Sequence, residues 1–412
     1  MRVPFLSIKA PKLVELLPWT ELLDVHLKKD PGQFPLYVSK FYNVPFELVF
    51  IKCNKNSTKK KYISDTGSIV ALKPILKKKI TKLTDFRRLF FLLPLIIYII
   101  KSRKKVSHYI LFHATDNSLT LAFFIKLFNP KAKIWLKLDA NIENLKSFVK
   151  LVDSRKTLKQ KIISSRYRFL LPKIDLLSAE TKLTFNVLQA NSFINEKLNI
   201  QIVPNGIDCM PAVTDCLRKD NIIVSVATFG FYPKNTELLL SSLESVDLAD
   251  WKVYLIGPIE KIEQDFEQYI YSFYKKNPRL KDKIIFLGNI SDKDQLNAWY
   301  AKAKVFVLPS KWEGFSLASI EAASYLDYLV LTDVGAARDL IPNEKYGYIL
   351  PQSQQGQQDE DVIKKSLVDK LTDIIKGKVK TDECLKERHD YYSQFLMENI
   401  VKKDCIKEWM CQ

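Results

Sequence analysis

The sequence predicts an α/β protein built from two parallel sheets, each covered by helices, and three observations predict it. In the second half, short apolar runs alternate with stretches of helical spacing, the pattern of a parallel sheet whose crossovers are helices. Glycine is scarce, at 11 in 412 residues, yet Gly230, Gly257, Gly288, Gly314 and Gly335 each fall just after one of those runs. The chain also exceeds the length at which a single hydrophobic core stops growing, so two domains of about 200 residues each are expected.

Taken in order, the first half carries strand-like runs ELVFIKC from Glu47, YILFH from Tyr109, KIWLKLD from Lys133, IDLLSAE from Ile174 and IQIVP from Gln201. Between the halves, PNGIDCMPAVTDCLRKD gathers Pro, Gly, Asn and Asp over residues 204–220 and reads as a linker. The second half gives NIIVSVA from Asn221, WKVYLIG from Trp251, KIIFLG from Lys283, KVFVLPS from Lys304 and YLVLT from Tyr328. Helical stretches follow from Lys234, Glu260, Asp292, Ser316 and Ala336, making five βα units of a Rossmann-like domain. The last stretch, YYSQFLMENIVKKDCIKEW, has helical spacing and can pack on either domain. The expected division is residues 1–205, residues 206–390, and a C-terminal helical segment over 391–412.

Composition narrows the function classes. A hydrophobic share of 47% with dispersed charge is that of a folded chain rather than a disordered one. The six cysteines form no close CxxC pair and the four histidines are scattered, so neither a metal site nor a disulfide framework is expected. The start MRVPFLSIKAPKLVELL lacks a leader pattern, which points to a protein inside the cell. The formal charge of +18 is unevenly spread: residues 1–200 carry +23 and residues 201–412 carry −5. Such asymmetry fits one half facing an anionic surface, and the basic half holds no recognisable nucleic-acid module, so a lipid leaflet is expected rather than nucleic acid. Within that half, Leu89 to Ile100 is an apolar run bracketed by Arg87 and Arg88 and by Lys101 to Lys105. It is too short to span a bilayer, and reads either as a helix lying in the interface or as a buried core helix containing Pro94. Further cations cluster at Lys59 to Lys61 and at Arg166 to Lys173.

Local chemistry concentrates in VFVLPSKWEGFSLASIEAASY, a strand, a loop and a helix. Ser316 is placed to cap that helix, whose positive end, at Phe315 to Leu317, suits an anion such as a diphosphate. Glu313 precedes the helix and Glu321 lies in its second turn, so ligand hydroxyls can meet a carboxylate on either side. VSVATFGFYPKNTELLL adds a glycine loop and Lys234, a cation suited to phosphate. Asp292 and Asp294 spell a DxD, but at a helix start they read as capping carboxylates rather than metal ligands.

In order, VPNGID, KN opening a helix, FLGNISDKDQLNAWYAKAKVFVLPSKWEGFSLASIEA, TDVGAARDLI and GYIL resemble glycosyltransferase family 4, over roughly residues 200 to 350. The resemblance implies a GT-B fold, two Rossmann-like domains facing across a cleft with a C-terminal helix crossing back to the first. It implies that Glu321 binds the donor ribose, Glu313 the transferred sugar, Lys234 the diphosphate, and Gly314, Phe315, Ser316 and Leu317 the sugar and β-phosphate through their backbone. Gly230, Gly257 and Gly288 would border the same donor, Gly257 and Gly288 near its base. In that family an arginine usually precedes the lysine; here the nearest match is Thr228, so either another base substitutes or turnover is slower. KDPGQFP, Lys29 to Pro35, stands where the family has a glycine-rich loop, and His113 of ILFHATD stands where it often has a strand-end histidine, a candidate catalytic residue beside Glu313 and Lys234.

The expected activity is therefore transfer of a sugar from a nucleotide-sugar donor with retention of configuration and no metal or other cofactor. The acceptor would be a lipid-linked or other glycan for a surface polysaccharide, met on the cytoplasmic face of the membrane. The competing expectation is a non-catalytic membrane- or nucleic-acid-binding protein on a decayed transferase scaffold, motivated by Thr228 and the basic half.

Overall fold

A computed structural model of the chain describes residues 12–75, 85–154, 156–216, 218–260, 266–351 and 359–411. Residues 1–11 of the start read for a leader pattern, the start of the helix expected from Glu260, and the side chains of Arg87 and Arg88 lie outside the described residues. The chain forms two compact units: one runs up to Asn205 and resumes at Met397, the other is Gly206–Leu396.

The first unit is built on an eight-stranded sheet, β1 (Leu13–Leu17), β2 (Phe46–Ile51), β3 (Tyr62–Ser64), β4 (Gly67–Leu72), β5 (His108–Phe112), β6 (Lys133–Lys137), β7 (Leu176–Ala179) and β8 (Ile200–Ile202). Its order is β3-β4-β2-β1-β5-β6-β7-β8, parallel throughout except for the β3–β4 pair. The inner strands are apolar runs because both faces are covered. β1 reads LVELL, with Glu15 at its centre, and was not among the strands expected from the sequence; it pairs with both β2 and β5 and is buried at all five positions. The Lys29 to Pro35 segment is not a glycine-type loop. It opens the helix Asp30–Tyr42, with Pro31 in the first turn where no N–H is needed. Gly32 is required there because a Cβ would lie 2.2 Å from the Leu27 carbonyl oxygen.

The basic, apolar stretch forms the helix Asp85–Ser102. Leu92, Leu95, Ile96 and Ile99 are buried in the unit's core, while Leu89, Phe90 and Ile97 are exposed. The helix thus packs as a core helix with an apolar outer strip, followed by the exposed Lys101, Arg103, Lys104 and Lys105. No described helix is long and apolar enough to cross a membrane. Part of the Arg166 to Lys173 cluster is spent within the fold, Arg166 on Thr120 and Arg168 on Asp153. At the C-terminus, Trp409 packs edge-on against His108 and Trp135 and its carbonyl meets His108 Nε2 at 3.1 Å, which fixes the Asp404–Cys411 helix to this sheet. Tyr391 and Tyr392, the first residues of the expected crossing segment, end a helix of the second unit, Leu385–Tyr392.

The second unit holds six parallel strands: β9 (Asp220–Val226), β10 (Lys252–Ile256), β11 (Ile284–Gly288), β12 (Ala303–Leu308), β13 (Tyr328–Thr332) and β14 (Gly347–Leu350). Their order is β11-β10-β9-β12-β13-β14. The chain leaves β9 towards β10 and leaves β12 towards β13, in opposite directions. The C-terminal ends of β9 and β12 therefore flank a topological switch point, where open α/β sheets leave a crevice for ligands. The same reasoning places the first unit's switch point between β1 and β5.

Candidate active site

The loop after β9 begins the site. Gly257 carries φ of +147° and a Cβ there would lie 1.8 Å from the Ala227 carbonyl oxygen, so the β9 and β10 ends approach as closely as backbone allows. Gly257 N–H donates to the Gly288 carbonyl at 2.8 Å, which ties in the end of β11. Thr228 is half-buried beside Phe229, whose N–H donates to the Pro258 carbonyl at 2.9 Å. Gly230, at φ +77°, donates its N–H to Thr236 Oγ1 at 3.2 Å. The helix expected from Lys234 starts later: Tyr232–Lys234 is one 3-10 turn, Asn235 takes a left-handed conformation, and Thr236–Leu243 is the helix. Pro233 in that turn and left-handed Asn235 break the continuity, and Lys234 is left in the loop with its side chain turned towards the end of β12.

There its ammonium meets Glu313 Oε1 at 2.6 Å, an ion pair spanning the switch point. Ser310 Oγ donates to the same oxygen at 2.6 Å, and Thr332 Oγ1 fixes the Ser310 carbonyl at 2.5 Å. Lys311 N–H donates to the Pro233 carbonyl at 2.8 Å, so the two loops are also joined through backbone. Gly335, in the loop after β13, sits at φ +56°, where an added Cβ would lie 2.4 Å from the Gly314 carbonyl oxygen and 2.9 Å from Glu313 Cβ. Gly335 was legible as a glycine after a strand; its bearing on Glu313 was not.

Ser316 precedes the helix Leu317–Ser324, as expected, but its hydroxyl does not cap it. A capping side chain needs extended backbone. Ser316 is left-handed, φ 71°, and its Oγ pairs with Ser319 Oγ at 2.7 Å. The N–H groups of Leu317 and Ala318, at the first turn, have no intrahelical carbonyl within reach. Phe315 is buried, packing near Phe395, so it serves the site as an anchor for the Gly314 and Ser316 backbone.

Glu321 belongs to a different network. Its Oε1 is paired with Lys293, and its Oε2 accepts from the Tyr300 hydroxyl at 3.2 Å. Tyr300 is fully buried; burial first, and then the Glu321 charge, push its phenol well above the ordinary value, so it remains a donor. Tyr300 is held at its other end as well, its carbonyl accepting from Lys219 at 3.1 Å. Lys293 and Tyr300 were not picked out from sequence; Lys293 lies between the two aspartates of the DxD. Asp292 Oδ1 accepts from Gln295 N–H at 3.0 Å, the helix-start role expected of it. His113 is in the first unit, at the end of β5, with a left-handed backbone at φ 61°.

A family model described as glycosyl transferases group 1 matches residues 212–383. That region is a group 1 glycosyltransferase domain. Among curated relatives, the phosphatidylinositol N-acetylglucosaminyltransferase gpi3 subunit of Schizosaccharomyces pombe is 24% identical over 213 residues, 49% of this chain and 43% of that protein. The lipopolysaccharide core biosynthesis mannosyltransferase LpsB of Rhizobium meliloti is 32% identical over 126 residues, 29% of this chain and 34% of that protein. The chain thus spans less than half the length of these curated relatives. Among solved structures, the lipopolysaccharide outer core galactosyltransferase WaaB superposes with a TM-score of 0.68 at 15% identity, covering 96% of this chain and 99% of that one. Anabaena HepE in complex with UDP and glucose gives 0.62 at 13% identity, covering 97% and 98%. At such identities the likeness is one of fold, and it bears out the expected α/β architecture of two parallel-sheet domains. The group 1 domain contains every site residue named above in the second unit.

Proposed function

We propose that the protein is a retaining glycosyltransferase that moves a sugar from a nucleotide-sugar donor to a lipid-linked or other glycan acceptor, in surface polysaccharide assembly at the cytoplasmic face of a membrane. The observation that carries this reading is the Lys234–Glu313 ion pair across the switch point of β9 and β12, beside the N-terminus of the Leu317–Ser324 helix. When the bond from the anomeric carbon to the diphosphate breaks, its electron pair stays on the phosphate oxygen. Lys234 and the Leu317 and Ala318 N–H groups supply fixed positive charge for that oxygen, a part a metal plays elsewhere. Glu313, oriented by Ser310 and Lys234, takes hydroxyls of the transferred sugar, and Glu321, oriented by Tyr300, takes the ribose diol. The relatives support the acceptor class, being named for phosphatidylinositol glycosylation, lipopolysaccharide core and, in Staphylococcus aureus CapM, capsular polysaccharide. HepE, with UDP and glucose in its complex, supports the donor class.

The test is a thermal-shift screen of nucleoside diphosphates and nucleotide sugars. At least one raises the melting temperature of the wild type, and Glu321→Ala abolishes that rise. With the donor so found, radiolabel enters a lipid extract in the presence of EDTA, and NMR of the product shows the anomeric configuration of the donor. If no nucleotide shifts the wild type, the reading fails. Thr228, where a second cation is missing, favours one other reading, a non-catalytic protein on this scaffold; label transfer rejects it.

A further inference from the structure

The outer edge of the first sheet carries cations that belong to no network described so far. β3 covers only the beginning of β4: the pairing reaches Tyr62 and Ser68, and Ile69 N–H donates to the Lys61 carbonyl at 2.8 Å. The chain that leads into β3 is drawn off this edge, because Thr58 N–H donates to the Leu22 carbonyl at 2.6 Å and the Thr58 hydroxyl bonds Asp24. Lys60 N–H in turn donates to Thr58 Oγ1 at 3.2 Å, so the backbone from Thr58 to Lys61 is fixed at both ends. A cavity of about 490 Å³ lies against this segment and the uncovered part of β4, a size that small-ligand sites commonly have.

The lining divides in two. The sheet supplies apolar surface, Phe50 of β2 with Val70 and Ala71 of β4, and the chain between β2 and β3 supplies Lys52, Lys59, Lys60 and Lys61. Elsewhere in this unit Lys12, Lys126, Lys137 and Arg168 each meet a carboxylate. Among the described residues no carboxylate pairs with any of the four cavity lysines, and none lines the cavity. Asp24 is engaged by Thr58 instead. Ile69 N–H points outward from β4, and by the alternation of a strand the Ala71 N–H points the same way, where β3 no longer reaches. Lysines along an exposed edge also deter pairing with another chain, but that role needs no cavity with apolar walls. Four ammonium groups around one concavity repel each other, and a ligand of two or more negative charges relieves the repulsion. Phosphate is such a ligand, since lysine binds it as a point charge and backbone N–H groups donate to its oxygens.

We infer that this cavity binds a phosphate monoester or diphosphate group, its charge met by Lys52, Lys59, Lys60 and Lys61 and the body that bears it lying on Phe50 and Val70. β2 separates β4 from the β1 and β5 switch point, so this is a second site and not part of that crevice. The phosphate belongs either to a lipid headgroup or to a free phosphate compound. Titration calorimetry tests the site with two probes, inorganic pyrophosphate and dihexanoyl phosphatidic acid kept below its micelle concentration. At least one binds the wild type, and the variant Lys59→Ala, Lys60→Ala, Lys61→Ala binds it about tenfold or more weakly. The second unit is untouched in that variant, so the affinity lost is that of the first unit. The variant Lys101→Ala, Lys104→Ala, Lys105→Ala removes equal charge elsewhere on the same unit and keeps the affinity. Unchanged melting temperatures show that both variants fold. Tighter binding of phosphatidic acid marks a lipid headgroup, and equal or tighter binding of pyrophosphate marks a free phosphate compound. If neither probe binds, if the first variant binds as the wild type does, or if the second loses as much affinity as the first, the site does not exist and the lysines only guard the strand edge. Failure of the transferase reading looks different, since the wild type then shows no nucleotide shift at all.

Discussion

At the residue scale, the question left by Thr228 turns on how the remaining charges are shared. Lys234 is committed to Glu313, and Lys293 to Glu321, so each acidic side chain is held by its own cation before any ligand arrives. Tyr300 differs from Lys293 in being buried, and it holds the Glu321 carboxylate from the inside at 3.2 Å. Removing its hydroxyl deletes a hydrogen bond to a charged group, which is worth about 1.5–3 kcal/mol. Tyr300→Phe is therefore expected to weaken nucleotide binding by about tenfold or more while leaving kcat at saturating donor close to wild type. Titration calorimetry and steady-state kinetics on the variant separate this from a packing defect, which would lower thermal stability without moving the dissociation constant.

At the scale of the element, the proposed membrane contact is tested on the helix Asp85–Ser102. Its inner face, Leu92, Leu95, Ile96 and Ile99, is in the core, and its outer face exposes Leu89, Phe90 and Ile97 ahead of four exposed cations. The buried face bears out the core-helix alternative, and the exposed face is the one an interfacial contact would use. Each cation near an anionic leaflet contributes about 1 kcal/mol, so reversing three of them costs more than a hundredfold in partitioning, at about tenfold for every 1.4 kcal/mol. The wild type is expected to sediment with phosphatidylglycerol vesicles and far less with phosphatidylcholine ones. The triple variant Lys101→Glu, Lys104→Glu, Lys105→Glu should stay in the supernatant with its melting temperature unchanged. Equal sedimentation of the two proteins would leave the helix a core element only.

At the scale of the whole molecule, a buried charge cluster makes stability depend on pH. The Lys137 ammonium is fully buried and spends its three protons on Asp30 Oδ2 at 3.2 Å, Glu180 Oε1 at 2.6 Å and Asn205 Oδ1 at 2.5 Å. Glu15 is buried alongside with neither carboxyl oxygen bonded, and burial pushes its pKa well up. One cation cannot balance Glu15, Asp30 and Glu180 together. Burial accordingly outweighs the attraction of Lys137 and lifts Glu180 to about 8, with Asp30 and the nearby Asp139 adding to the rise. The folded state then binds this proton more tightly than the unfolded chain does between the ordinary carboxylate value and about pH 8. Stability from this group is greatest at the acid end of that window and falls as pH rises through it. Urea unfolding of the first unit at intervals from about pH 5 to pH 9 checks the sign: Glu180→Gln should lose less stability over that range than the wild type. A steeper loss in the variant would show that Glu180 is ionised in the fold.

What the sequence determined by itself was whatever neighbouring residues decide. Ten strands were legible as short apolar runs because a parallel strand is buried on both faces, and the glycines after them marked the C-terminal edge because close backbone approach there excludes a Cβ. β1 was not legible because a buried glutamate breaks the apolar run, and the cation whose charge acts on it, Lys137, comes from far along the chain. The tertiary structure alone decided which carboxylate takes which cation: Lys234 and Glu313 are 79 residues apart, Lys293 and Glu321 are 28 apart. It also decided the left-handed turn at Ser316 and the gathering of Lys52 with Lys59, Lys60 and Lys61 around one cavity. Such pairings are set by the order of strands in the sheet, and no local pattern of residues encodes that order.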